Sequence, residues 1–148
     1  MNLTEKINED IKQAMKSREK EKLEALRAVK AAILLSNTEQ GAEQLTEADE
    51  LKLLQKLVKQ RKEAAEIYQQ QGRNDLAGVE ISQASVIEKY LPEQVSAEEL
   101  DRIIKEIIAQ TGASSPKDMG KVMGIASKQL SGKADNKLLA EKVKSQLS

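Results

Sequence analysis

Only two prolines and seven glycines interrupt 148 residues. Elsewhere apolar side chains return every three or four positions, the spacing of one face of an α-helix. With so few breakers and that period the chain is expected to be all-α. The expected architecture is an N-terminal helical domain over residues 1–92, with a long antiparallel helix hairpin, and a small C-terminal three-helix domain over residues 93–148.

Asn2 with Glu5 forms a capping box, and Leu3, Ile7, Ile11, Ala14 and Met15 line one face of the helix that follows. Ser17 sits where this helix can break. Ser17-Arg-Glu-Lys20 contains neither Gly nor Pro, so a single continuous helix stays open as well. Leu23, Leu26, Val29, Ile33 and Leu34 form the next apolar stripe. Asn37 to Thr46 is polar, holds Gly41 and reads as a loop. Thr46 with Asp49 opens the longest helix, whose Leu51, Leu54, Val58, Arg61, Ala65 and Tyr68 follow a near-heptad spacing. Too short for several independent heptads, this stripe is read as a hairpin core. Arg61 within it is expected to pair with Glu80 or Glu88 on the next helix. Gly72 is the expected C′ residue and Asn74 the next N-cap. The following helix carries Leu76, Val79, Gln83, Val86, Ile87 and Tyr90, and the tight break before it requires an antiparallel pair.

Leu91-Pro92 ends that helix, since proline disfavours a helical residue before it. Ser96 with Glu99 caps a helix bearing Leu100, Ile103, Ile104, Ile107 and Ile108. Ser115-Pro116-Lys117-Asp118 is the sharpest start signal in the chain. The helix it opens stops near Ser131-Gly132. A last helix from about Asp135 carries Leu138, Leu139, Val143 and Leu147.

There is no cysteine, histidine, tryptophan or phenylalanine. Thiolate and imidazole metal sites are therefore excluded, as are Cys-His and Ser-His-Asp machinery. No metal and no cofactor is expected. Lack of disulfides fits a cytoplasmic chain. The longest apolar run, Ala31 to Leu35, is far too short for a bilayer, and the acidic N-terminus has no signal core. Basic and acidic residues number 24 each, but residues 112–148 hold seven basic and three acidic side chains, a net of +4.

That basic tilt falls on the stretch where glycine, methionine and lysine interleave, Asp118-Met-Gly-Lys-Val-Met-Gly124 continuing to Gly132-Lys-Ala-Asp135. Gly120 and Gly124 lie on one helix face, at a cost of about 1 kcal/mol each relative to alanine. Close approach by something, a helix of the same domain or a partner, is what offsets it. Packing inside the domain is the plainer reading of this pair. Lys117, Lys121, Lys128, Lys133 and Lys137 are the candidate phosphate contacts, against the alternative of a solvated face. Gly120, Met123, Gly124 and Gly132 are the candidate packing surface for a partner. The two tyrosines fall on buried stripes, so base stacking is not expected. Paired carboxylates such as Asp49/Glu50 and Glu98/Glu99 sit at helix starts, as caps and not as acid–base catalysts.

Gly120-Lys-Val-Met123, then Gly132-Lys-Ala134 and the spaced apolar residues to Leu147, resemble the tail domain of GatB. GatB is the subunit of glutamine-dependent tRNA amidotransferases that handles aminoacyl-tRNA. The match extends through Asn8-Glu-Asp-Ile-Lys-Gln-Ala-Met15, Val58-Lys-Gln-Arg-Lys62, Gly72-Arg73 with Asp75-Leu76, and Glu88-Lys-Tyr-Leu-Pro-Glu-Gln94. The chain is identified as a member of the GatB/YqeY family, among the free-standing YqeY-like proteins. Its stretch from Met123 to Gly132 is longer than in the amidotransferase tails by about one helical turn. The resemblance implies a place near tRNA-dependent amidation, a carbon–nitrogen ligase process with glutamine as amide donor. It implies no chemistry in this chain. Glutamine hydrolysis belongs to another subunit, and the kinase and transamidation steps to a catalytic domain absent here. The tail is implied to help hold tRNA. The expected function is thus a non-catalytic module contacting tRNA or a tRNA-handling enzyme, with a protein–protein adaptor as the alternative.

Overall fold

A computed structural model describes residues 1–39 and 45–148 of the chain. Gly41, expected in a loop, lies outside the described residues. Those residues form seven α-helices and one 3₁₀ turn, with no strand among them, so the protein is all-α. They pack as two units, Met1–Leu91 and Pro92–Ser148.

The first unit holds α1 (Leu3–Lys16), α2 (Lys20–Glu39), α3 (Glu47–Gln70) and α4 (Asn74–Glu88). The Asn2 side-chain carbonyl accepts from the Glu5 N–H at 2.8 Å and starts α1. The chain breaks after Ser17, where Arg18 adopts φ 55. The Glu19 N–H then reaches back to the Ala14 carbonyl at 3.1 Å, a Schellman closure built without glycine. α2 continues through Asn37–Glu39, which the sequence reading places in a loop. Polar side chains there are satisfied without leaving the helix. Thr38 Oγ1 donates to the Leu34 carbonyl at 2.9 Å, and Asn37 Oδ1 accepts from the Leu45 N–H at 3.3 Å.

Thr46 and Asp49 form a reciprocal capping box at the start of α3, with bonds of 3.1 and 3.2 Å. The backbone N–H and hydroxyl of Thr46 hold the Asp49 carboxyl below its usual range. Gly72 ends α3 at φ 74, with the Arg73 N–H on the Tyr68 carbonyl at 2.8 Å. Because Arg73 completes that closure it also becomes the cap of α4, and Asn74 is the first helical residue instead of the cap. The Arg73 guanidinium grips Asp75 at 3.2 and 3.1 Å. α3 and α4 make the most extensive helix pair. Arg61 does not pair with a carboxylate among the described residues. Its Nε donates to Gln83 Oε1 at 3.2 Å and a terminal nitrogen to the Leu57 carbonyl at 3.1 Å. Glu88 is instead taken by Lys62 at 2.6 Å.

Ile7, Leu26, Val29, Ile33, Leu54 and Ile87 form the buried centre of this unit. Each contributes about 1.5–3 kcal/mol on burial. Ala65, Ala77 and Ala84 are also buried and let α3 and α4 approach closely. Met15 and Leu34, expected inside, are each 54% exposed. Each follows a buried neighbour, Ala14 or Ile33, and a step of 100° around the helix turns the second residue outward.

The second unit contains α5 (Ala97–Thr111), a 3₁₀ turn at Pro116–Asp118, α6 (Met119–Gln129) and α7 (Asn136–Leu147). Ser96 Oγ accepts the Glu99 N–H at 3.2 Å, and Gly112 closes α5 at φ 71. Asp118 accepts from the Ser114 and Ser115 N–H groups at 3.0 and 3.4 Å, fastening the turn that precedes α6. Leu100, Ile104, Ile107, Val122, Leu139 and Val143 are the buried centre. Lys142 reaches Asp101 at 2.8 Å and Gln146 donates to the Asp101 carbonyl at 3.2 Å, so α7 is pinned to α5 by polar contacts as well. Leu138, expected in the core, is 38% exposed; the α7 stripe runs through Leu139, Val143 and Leu147.

Candidate functional site

α6 has a sharply divided circumference. Val122 and Ala126 are buried, and Met119 and Met123 pack partly buried against the same core. With 100° per residue these four define the inward half of the helix. Gly120, Lys121, Gly124, Ile125 and Lys128 are all exposed on the outward half, with Lys117 in the 3₁₀ turn just ahead of them. α6 itself holds no acidic residue, and Asp118, beside Lys117, has its carboxylate on the Ser114 and Ser115 N–H groups.

The glycines decide what kind of face it is. Nothing lies within 4 Å of where a side chain on Gly120 or Gly124 would begin. The packing they were read as serving, against another helix of the same domain, is absent. They leave a flat strip of backbone open to the outside. Met123 sits at the border, partly buried against the core. Gly132 behaves differently from the other three candidates for partner packing. It is buried, turns the chain at φ 74 after Leu130 ends α6, and its carbonyl accepts from Gln94 Nε2 at 2.7 Å. Its place is inside the unit.

Lys117, Lys121, Lys128, Lys133 and Lys137 are all exposed, and none is held in an ion pair with a described residue. Lys133 lies in the turn from α6 to α7 and Lys137 in the first turn of α7. Lys142, by contrast, is spent on Asp101. The structure thus brings Lys117, Lys121 and Lys128 onto one helix face with two glycines, and puts Lys133 and Lys137 on the segment that follows. Gln94, which the sequence places in a family-like run but gives no site role, touches the base of that segment. An amide-to-carbonyl bond across 38 residues leaves no periodic trace in the sequence.

A concavity of about 340 Å³ lies in the first unit among Asn2, Leu3, Glu47, Glu50, Leu51 and Tyr90. Burial, and then the nearby Glu47, push the Glu50 carboxyl above its usual range. The Tyr90 hydroxyl donates to Asp10, and Lys6 Nζ stands 5.5 Å from the centre of the Tyr90 ring. Both glutamates belong to the first turn of α3, where they complement the helix dipole. Among the described residues no group of three acidic side chains is placed to hold a metal ion, and no helix is long and apolar enough to cross a membrane.

The fold and this face define a class: an all-α protein of two helical units, the second presenting a lysine- and glycine-bearing helix. A family model described as Yqey-like protein matches residues 4–147, and the chain belongs to that family. Among the curated relatives is Altered inheritance of mitochondria protein 41, mitochondrial, of Pyrenophora tritici-repentis, 28% identical over 142 residues that cover 93% of this chain and 77% of that protein. The protein of the same name from Clavispora lusitaniae is 34% identical over 89 residues, 60% of this chain; the chain spans about half of that relative, 51%. An uncharacterized protein of Schizosaccharomyces pombe is 34% identical over 95 residues, covering 64% of this chain and 76% of that protein.

Proposed function

We propose that this chain is a binding module that makes or breaks no covalent bond itself. It holds folded RNA by the phosphate backbone, with tRNA as the RNA class, through the outward face of α6 and the turn into α7. One observation carries the reading: Lys117, Lys121 and Lys128 share a face with two glycines that have open space above them, and none of the three is ion-paired with a described residue. Ammonium groups left in water on a flat backbone strip suit phosphates that come close and need no base-specific partner. Tyr68 and Tyr90 are the chain's only aromatic residues, and neither belongs to the second unit, so stacking on unpaired bases has no platform there. Resemblance to the tRNA-holding tail of the amidotransferases supports tRNA as the ligand, and an amidotransferase as the enzyme in whose company it works. A chain without cysteine is suited to the cytoplasm; two of the fungal relatives carry "mitochondrial" in their names.

Filter binding with tRNA at low and moderate salt tests this. If four lysines each neutralise a phosphate, the log–log salt slope is about −3 to −4. No retention of tRNA at either salt removes the RNA reading.

The adaptor alternative draws on a separate observation: Ile125, 40% exposed, adjoins the open glycines and adds apolar surface for a partner helix. On that reading Gly120→Leu abolishes capture of a protein partner, while Lys121→Glu and Lys133→Glu leave it intact. On the RNA reading the lysine variants are the damaging ones.

A further inference from the structure

The turn between α6 and α7 is strapped down by the segment that precedes α5. Gln94 Nε2 donates to the Gly132 carbonyl at 2.7 Å and to the Pro92 carbonyl at 2.9 Å. The next residue, Val95, donates its backbone N–H to the Lys133 carbonyl at 2.9 Å. Two successive residues therefore hold two successive carbonyls. Gly132 at φ 74 is buried, as is Ala134, while the Lys133 side chain is exposed between them. The backbone under Lys133 is fixed by Gln94 and Val95, and the Lys133 side chain is exposed to solvent.

A cation on a fixed backbone meets a phosphate without first having to order its own turn, and that ordering cost is otherwise subtracted from affinity. Gln94 is well chosen for the fixing. Both N–H bonds of one amide are used, one on each carbonyl, and no charge is buried to do it. We infer that Gln94 is a positioning residue of the RNA-contacting face, acting through Gly132 and the Val95–Lys133 bond to place Lys133. The inference rests on the RNA reading given above. It adds a residue that has no charge and is assigned no phosphate contact.

The test uses the full-length chain, tRNA as the probe, and anisotropy titrations at several salt concentrations. Gln94→Met keeps the side-chain length and removes the donors. It is expected to weaken binding several-fold and to reduce the magnitude of the salt slope by up to about 1, as Lys133→Ala does. The double variant Gln94→Met/Lys133→Ala is expected to bind no more weakly than Lys133→Ala alone, whereas Gln94→Met and Lys121→Ala add. A general loosening of the unit would not single out Lys133 in this way. Amide exchange supplies a readout without RNA: the Val95 N–H exchanges faster in Gln94→Met. Gln94→Asn, one methylene shorter, replaces Gln94→Met if the latter melts below the assay temperature. A folded Gln94 variant that binds like the wild type while Lys133→Ala is impaired overturns the positioning role and leaves the RNA reading standing. Full additivity of Gln94→Met with Lys133→Ala overturns it too. A wild-type chain that does not bind tRNA at all removes the RNA reading and this inference with it.

Discussion

Arg18 occupies a left-handed conformation, φ 55, at the same point of a helix end where Gly72 and Gly112 occur elsewhere in the chain. An L-residue there gives up about 1–2 kcal/mol, and glycine would return part of that to the unfolded chain as entropy. Arg18→Gly is therefore expected to stabilise the first unit by about 0.5–1 kcal/mol, read as a rise in urea midpoint at constant m. The sequence marks Ser17 as a break point but offers no glycine to settle it, which is why a continuous α1–α2 helix stays open until the backbone is seen. Tyr90 makes a second single-residue case. Burial, and then the hydrogen bond to Asp10, hold its hydroxyl well above the usual tyrosine range. Its folded value is raised, so its contribution is complete below about pH 10. Above that the unfolded chain loses the proton first, and the contribution fades as pH rises toward the folded value. Tyr90→Phe should cost about 1 kcal/mol at neutral pH. The wild-type-minus-variant difference in unfolding free energy should shrink above about pH 10. A difference that is flat through that range would count against the Tyr90–Asp10 link.

Three helices, α1, α3 and α5, begin where short-range chemistry says they should, and the reason is local. Asn2, Thr46 and Ser96 each accept the N–H three residues on, and that demand is written within four residues of sequence. Thr46→Ala should accordingly destabilise the first unit by about 1 kcal/mol in chemical denaturation. Contacts between helices were less legible. Charge matches Arg61 to a carboxylate, but the residue that faces it is Gln83, and charge patterning does not report which turn of α4 comes alongside. For the same reason helical spacing alone gives the α6 glycines as packing and does not report what stands opposite them. Their exposure turns into a test with opposite signs on one background. Gly120→Ala and Gly124→Ala meet open space in an ordinary helical conformation, and each should raise the stability of the second unit by about 0.5–1 kcal/mol. Gly112→Ala, at φ 71, should lower it by a similar amount. Losses at all three positions would mean that α6 is packed on its outward face after all. The turn at Gly132 is legible, since a glycine following Gln129-Leu-Ser is a usual helix-stop signal; its burial, and that Gln94 holds its carbonyl, are not.

At the scale of the whole molecule the two units differ in how much they can spare. The second comprises residues 92–148, and a domain of that length has about 3–8 kcal/mol of total stability to draw on. Part of it comes from residues that no helix contains. The Gln94 and Val95 bonds to Gly132 and Lys133 tie the start of the unit to the far side of α6, and the Ser96 cap starts α5. Hydrogen bonds of this kind contribute about 0.5–1.5 kcal/mol each, and the cap about 1 kcal/mol. A fragment cut by helix boundaries alone, residues 97–148, lacks all three and should be less stable by about 2–4 kcal/mol than a fragment of residues 92–148. That difference is comparable to what the unit has in total. The longer fragment should melt cooperatively by circular dichroism, and the shorter should melt at much lower temperature or show no transition at all. Equal melting curves would mean that residues 92–96 are only a tether, and the strap on the α6–α7 turn would lose its energetic basis together with the positioning assigned to Gln94.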